Sequence, residues 1–318
     1  MRIGFAYAQR SRWPKYAWAA EAFERIGCAV RAEHTIAGML DLEDWADAVV
    51  VEPKWLQNDP VPKRGPSLRI GWCFDLVATE LGRPLAEQPM MRDDGPLLRA
   101  LRTCDLALVK ERGMLGEYRR LGVDARWMDQ GCPSWIGECE HRADPRWQVL
   151  ALGGTRWAQR KRDAAAVAKA GHRVAWAVPE GGGELPPGVE PLLFCPPREL
   201  PSLVSQAAVV LDCGLRSDVD GYWSDKFWLL CGMGACQLRR WSPGLPPPGR
   251  GPRRYCTYGD ETLLQALERL LADRSVRAAM GRKAREWALR RHTYEHRARE
   301  VVQCVQDKSL AGSAAARA

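Results

Sequence analysis

Residues 218–236 read DVDGYWSDKFWLLCGMGAC, and this stretch decides the fold. It follows AAVVLDC at 207–213, an apolar run with the length and flanks of a short buried strand. Gly221 opens a polar loop, and Ser224 and Asp225 are residue types that cap helix N-termini. Phe227, Leu230 and Cys231 then recur at helical spacing, and Gly232 and Gly234 close the helix. The predicted unit is strand, loop, helix and glycine turn. A helix that starts with unpaired backbone N–H groups and carries Lys226 in its first turn suits a diphosphate. An ordinary strand-to-helix connection reads the same way, so the ligand needs further evidence.

The same alternation extends on both sides. Toward the N-terminus, strands are expected at 148–152, 173–178, 192–194 and 209–212, with helices at 160–170 and 198–206. Earlier still, strands are expected at 3–8, 28–33, 48–51, 68–74, 106–109 and 125–128, with helices at 16–26, 96–103 and 114–121. Three helices close the chain at 261–271, 275–290 and 294–305. Strands alternating with helices mean parallel sheets, so the expected fold class is α/β with two Rossmann-like, doubly wound domains. The boundaries read 1–145 and 146–292, with a closing helix at 293–305 and a flexible tail at 306–318. Ligands of such sheets bind at the carboxyl ends of the strands, which for two facing domains places the expected site in a cleft.

Composition narrows the class. Hydrophobic residues make 46% of the chain and charged residues 27%, which excludes a disordered or membrane-spanning chain. The start, MRIGFAYAQR, reads as a strand without the apolar core of a signal peptide, so a cytoplasmic location, no membrane insertion and a monomer are expected. Eleven cysteines are scattered without a CxxC pair, and the five histidines do not sit near them at metal-ligand spacing. They read as reduced packing residues, and no metal is expected. The net charge of +8 favours an acidic partner.

In the first half the turn after the first strand reads GFAYAQRSRWPK and lacks GxGxxG, which weakens a dehydrogenase reading. The strand ends carry basic residues instead: Arg10, Arg12 and Lys15, then Lys54, Lys63 and Arg64, then Lys110 and Arg112. Tyr7, Trp13 and Trp55 are interleaved with them. Cations with flat aromatics suit a polyanion whose bases or sugars can stack, so these residues are the acceptor-binding candidates; a solvated loop face is the alternative. Asp75 and Glu52 end strands on the same side and are the candidate catalytic bases, with burial among aromatics expected to raise the pKa. Capping, or pairing with a nearby cation, is the competing role for each. In the second half GGTRWAQRKR joins strand to helix. Gly153 and Gly154 let a phosphate approach, and Arg156 and Arg160 neutralise it, together with the loop Gly221, Tyr222, Trp223, Ser224 and with Lys226.

Three stretches carry a family resemblance. GYWSDKFWLLCGMGA at 221–235 and CTYGDETLLQALERLLADRSVRAAMGRKAREWALRRHTYEHR at 256–297 resemble GT-B glycosyltransferases of the CgeB-like and group 1 type. CDLALVKERGMLGEYRRLGVDARWMDQGCP at 104–133 resembles the end of that family's first domain. The resemblance covers 104–305; the first hundred residues share the architecture alone. It implies a nucleotide-sugar donor, most simply a UDP-sugar, on the second domain and metal-independent transfer to an acceptor on the first. By position, Ser224 and Lys226 meet the diphosphate, and Gly232 to Ala235 form the turn. Many relatives place Glu after the aromatic that follows the basic residue, whereas here Trp228 follows Phe227. Either the ribose contact falls to another residue, such as Asp260 or Glu261, or the donor differs.

The expected function is therefore transfer of a sugar to a hydroxyl of a polyanionic acceptor, foremost a 5-hydroxymethylated pyrimidine in DNA as in phage-type base modification. A cell-surface glycan or a protein is the alternative acceptor. A non-catalytic nucleotide-sugar or nucleic-acid binding module is the alternative class, and a nucleotide-sugar epimerase fits the closing helices less well.

Overall fold

The computed structural model describes residues 1–8, 14–75, 77, 83–155, 157–178, 183–213, 219–246 and 253–315. The chain forms two compact units: Met1–Gly131 with Val219–Tyr222 and Thr293–Ala318, and Cys132–Asp218 with Trp223–His292.

The first unit is built on a six-stranded parallel sheet in the order β2-β1-β3-β4-β5-β6. Its strands are β1 (Arg2–Ala6), β2 (Ala29–Glu33), β3 (Ala48–Val51), β4 (Leu68–Trp72), β5 (Leu106–Val109) and β6 (Ala125–Trp127). β3, AVVV, is buried at all of its positions, as expected of a central parallel strand covered on both faces. Register runs Ile3 opposite Ala48 and Val51 opposite Gly71. Helix α1 (Lys15–Arg25) buries Trp18, Ala19, Ala22 and Phe23, and Phe23 meets Phe5 edge-on at 5.5 Å.

Helix α2 (Ile36–Trp45), which contains the acidic run DLED at 41–44, is absent from the sequence reading. Thr35 caps it, its hydroxyl accepting from Gly38 N–H at 3.1 Å. Its buried Glu43 accepts from Arg69 Nε at 2.6 Å, from Arg64 N–H at 2.9 Å and from Gly65 N–H at 3.3 Å. A buried carboxylate with a partner at each oxygen is tolerated inside a core, which is why an acidic run can form a packed helix here.

Short helices α3 (Pro53–Leu56), α4 (Pro96–Arg102) and α5 (Leu115–Arg120) complete the crossovers. In the second unit the order is β12-β11-β10-β7-β8-β9, all parallel. The strands are β7 (Trp147–Leu152), β8 (Val174–Val178), β9 (Val189–Leu193), β10 (Ala207–Asp212), β11 (Gln237–Arg240) and β12 (Cys256–Tyr258). Their helices are α6 (Ala158–Lys169), α7 (Leu200–Val204), α8 (Asp225–Met233), α9 (Leu263–Ala272) and α10 (Arg274–Arg291).

β11 and β12 are absent from the sequence reading. QLRR looks like a surface turn, yet every residue of β11 is buried. Gln237 reaches Phe227 O at 3.3 Å, Arg239 pairs with Asp212, and Arg240 bridges Asp163 at 2.8 Å and Asp260 at 2.7 Å.

Helix α11 (Tyr294–Ala315) belongs to the first unit, and it runs well past the end at 305 expected from the sequence. Tyr294 packs on Trp18 at 6.2 Å, and Lys308 is tied to Asp124 at 2.5 Å and to Asp105 O at 3.1 Å. Those anchors and the alanine-rich sequence extend the helix. Among the described residues no helix is long and apolar enough to cross a membrane.

α8 is buried almost all round and ends at Gly234, which has φ +74°. It packs on α10 through two glycines. A Cβ at Gly281 would overlap the Gly234 carbonyl oxygen and the His141 ring. Gly281→Ala is therefore expected to cost roughly 1–3 kcal/mol, read as a lowered denaturant midpoint with unchanged slope. An unchanged midpoint would mean that α10 can move aside freely.

Candidate active site

A doubly wound sheet offers a ligand site where its strand order reverses, outside the carboxyl ends of the strands. In the second unit the chain runs β7, β8, β9 to one side and then restarts at β10 on the other flank of β7. The ends of β7 and β10 are therefore the switch point, and four of the residues singled out in the sequence gather there.

Gly153 follows β7 with φ +98°, a conformation that L side chains rarely adopt. It is held by Ala177 O accepting its N–H at 2.9 Å and by Trp176 Nε1 donating to its carbonyl at 2.7 Å. Arg160, on α6, is buried and donates to Cys213 O and to Gly154 O, each at 3.1 Å. Lys226, on α8, donates to Leu152 O at 2.9 Å and lies 3.4 Å from the Asp212 carboxylate. A Cβ built on Gly153 would stand 3.4 Å from Arg160 Nη1 and 3.9 Å from Lys226 Nζ, so both cations converge on this glycine.

Ser224 occupies the N-cap of α8 with an extended backbone. Its hydroxyl is buried and has no hydrogen-bond partner among the described residues. An unpartnered hydroxyl at a helix N-terminus is available to a phosphate oxygen.

Asp212 is fully buried. Desolvation works to raise its pKa, but Arg239, Lys226 and Arg160 outweigh it and hold the carboxyl below its ordinary value. Lys226 is pulled down to about 8, first by desolvation and then by Arg160, with Asp212 opposing. Three cations thus surround one carboxylate, and the surplus positive charge suits a diphosphate.

Gly221 (φ +73°) and Tyr222 belong to the first unit, where Trp127 Nε1 donates to Gly221 O at 3.3 Å and Lys110 lies over the Tyr222 ring at 5.3 Å. Trp223 is buried and meets Phe227 edge-on at 6.4 Å. Glu261 is exposed in the turn before α9, and Asp260 is engaged by Arg240. Arg156 lies outside the described residues.

The first unit reverses strand order between β1 and β3, and Glu52 stands there. Its N–H donates to Ala6 O at 2.9 Å, and its carboxylate accepts from Ala8 N–H at 3.0 Å. Asp75, beyond β4, pairs with Lys15 and Lys54 at 3.2 Å each. Tyr7 stacks on Tyr16 at 5.6 Å. Tyr16, Glu52, Lys54, Cys73 and Asp75 line one small pocket.

The two carboxyls there are set apart by their surroundings. Desolvation pushes Glu52 above its ordinary value; the charge of Asp75 adds to this, while Ala8 N–H, Lys15 and Lys54 oppose it. At Asp75 desolvation also pushes upward, but Lys15, Lys54 and Lys110 overcome it and hold the carboxyl well below the usual range. The expectation that burial raises Asp75 is thereby corrected. Its side chain is about half exposed, at 52%, and its neighbours are ammonium groups.

The basic rim also changes. Lys63 pairs with Asp105 at 2.7 Å, and Asp105 immediately precedes β5; Arg64 N–H binds Glu43. Both residues sit at the amino ends of the strands, because the chain after α3 must return across the sheet to start parallel β4. Trp55 is half-buried and packs against the cluster of Met39, Leu42 and Leu56. Arg10, Arg12 and Trp13 lie outside the described residues.

Sequence reasoning placed Lys54 only in the basic rim, not beside Asp75, and missed Asp212 altogether. The signal for Asp212 was an acid ending an apolar strand, AAVVLD.

Two parallel α/β units of this kind in one chain make up the GT-B fold that solved glycosyltransferases share. Residues 141–303, just over half of the chain, match the family model described as glycosyl transferase-like, and the chain belongs to that family. No curated protein matches it in sequence. Solved structures share the fold at low identity. Sucrose-phosphate synthase from Thermosynechococcus elongatus superposes with TM-score 0.62 at 13% identity, covering 98% of this chain and 100% of that one. Anabaena Alr3699/HepE in complex with UDP-glucose gives 0.67 at 11%, covering 96% and 100%. An alpha-glucosyltransferase in complex with UDP and a 13-mer DNA containing a HMU base gives 0.63 at 10%, covering 96% and 99%.

Proposed function

We propose that this glycosyltransferase moves a hexose from a UDP-sugar to an acceptor hydroxyl, using the second unit for the donor and the first for the acceptor. The observation that carries the reading is the convergence of Lys226 and Arg160 on Gly153 at the switch point. In this reading the diphosphate sits against that glycine, Ser224 and the N-terminus of α8 add donors, and the cations stabilise charge as the sugar leaves. Glu52 takes the acceptor proton, since it alone of the two carboxyls has a raised pKa. Uridine is supported by fold relatives solved with UDP or UDP-glucose.

For the acceptor, the geometry best supports a neutral glycan hydroxyl. Lys15 and Lys54 share the one carboxylate of Asp75, and Lys63 is paired with Asp105, which leaves less of the rim's charge for a polyanion. A 5-hydroxymethylated pyrimidine in DNA is the second reading. It is favoured by the net charge of +8 and by fold relatives solved with DNA or described as DNA-modifying.

The test incubates the protein with UDP- and GDP-sugars, a panel of glycans, and duplexes with unmodified or 5-hydroxymethylated pyrimidines, read by mass spectrometry. A hexose-sized gain on a glycan supports the first reading, and a gain on the modified duplex alone establishes the second. No gain and no release of free nucleotide from any donor would leave a binding module and overturn both.

A further inference from the structure

We infer that Asp212 is the positioning residue of the donor site: its buried carboxylate holds Lys226 Nζ at the switch point as the cation that meets the diphosphate. The inference rests on the reading of that site given above. Asp212 is the last residue of β10 and is 0% exposed. On one side it pairs with Arg239 of β11; on the other, Lys226 Nζ of α8 stands 3.4 Å away. The other contact of Nζ is the Leu152 carbonyl at the end of β7, at 2.9 Å. Nζ therefore lies between two strand ends at the switch point, hydrogen-bonded to that of β7 and ion-paired with that of β10.

The charges around Lys226 explain why a carboxylate is needed. Arg160 of α6 faces it and disfavours its ammonium, and burial does the same; Asp212 and the Cys213 thiol oppose them. Arg239 competes for the same carboxylate from behind and is itself fixed over the Phe227 ring at 4.9 Å. Without the negative charge of Asp212, burial and Arg160 would prevail and Lys226 would give up its proton more readily. It would then offer a diphosphate a neutral amine.

The test is UDP affinity measured by calorimetry from pH 7 to 10. For the wild-type protein the affinity should hold at neutral pH and fall as Lys226 loses its proton around 8. Asp212→Asn should move that midpoint down by about one unit or more, which makes UDP binding roughly fivefold or more weaker at pH 8. Arg239→Met leaves the carboxylate to Lys226 alone and should move the midpoint up. Because Asp212→Asn also orphans buried Arg239, the double variant Asp212→Asn/Arg239→Met is made alongside it. It should show the same downward shift. A midpoint unchanged from wild type in the double variant would overturn the inference, since a purely structural Asp212 would alter stability and not the pH profile. Lys226→Met separates the two levels. If it binds UDP like the wild type, the donor site itself is wrong; if it loses UDP while the midpoints stay fixed, Asp212 alone is wrong.

Discussion

Lys226→Ala is expected to abolish sugar transfer and to leave the fold standing. The fold should survive because Asp212 keeps Arg239 as a partner when the ammonium is gone. Burial already works against the charged lysine, pulling it to about 8, so its removal relieves a desolvation cost while opening a small cavity. Binding is another matter. Lys226 and Arg160 are the two cations that converge on Gly153, and a diphosphate placed there would lose a charge-assisted partner. Truncating one side of such a pair typically costs 2–5 kcal/mol, so UDP should bind about 100-fold more weakly, or about 2.7 kcal/mol. Calorimetry with UDP and a thermal melt, run on the same preparation, check both halves. Wild-type UDP affinity in a folded Lys226→Ala protein would remove the donor site from this place.

Glu52→Gln is expected to slow the chemical step by about 10²- to 10⁴-fold with UDP affinity unchanged, because the amide keeps the bond from Ala8 N–H but cannot take a proton. The wild-type rate should rise with pH through the raised pKa of Glu52: below it the carboxyl is protonated and inert, above it the base is available. That acidic limb should vanish in Glu52→Gln. Asp75→Asn should behave differently. Its carboxyl is ionised throughout the working range, and its loss frees Lys15 and Lys54, so acceptor KM should change more than kcat. A kcat collapse in Asp75→Asn with normal turnover in Glu52→Gln would reverse the assignment.

How far the sequence could be read depended on whether burial followed hydrophobicity. β3 and β5 were legible to the residue, since AVVV and LALV are uninterrupted apolar runs with turn residues on either side. The loop, helix and glycine turn at 221–234 were legible for the same reason, and Gly234 does take the left-handed conformation that its position demanded. β11 was not legible, because its polar residues are buried through partners far along the chain, Asp212 and Asp163 among them. α2 was hidden in the same way by Glu43, whose partner Arg69 lies on another strand.

By itself the sequence determined the α/β class, the strand-loop-helix around Lys226 and the family resemblance, all of which rest on short-range pattern. Only the tertiary structure decided which charges matter. It set Lys226, Arg160 and Gly153 together, tied Lys63 to the opposite end of its sheet, and gave Glu52 and Asp75 opposite pKa shifts. Periodicity reports which way a residue faces along its own element. A charge, by contrast, is set by neighbours from several elements at once, and those neighbours meet only when the sheet is assembled.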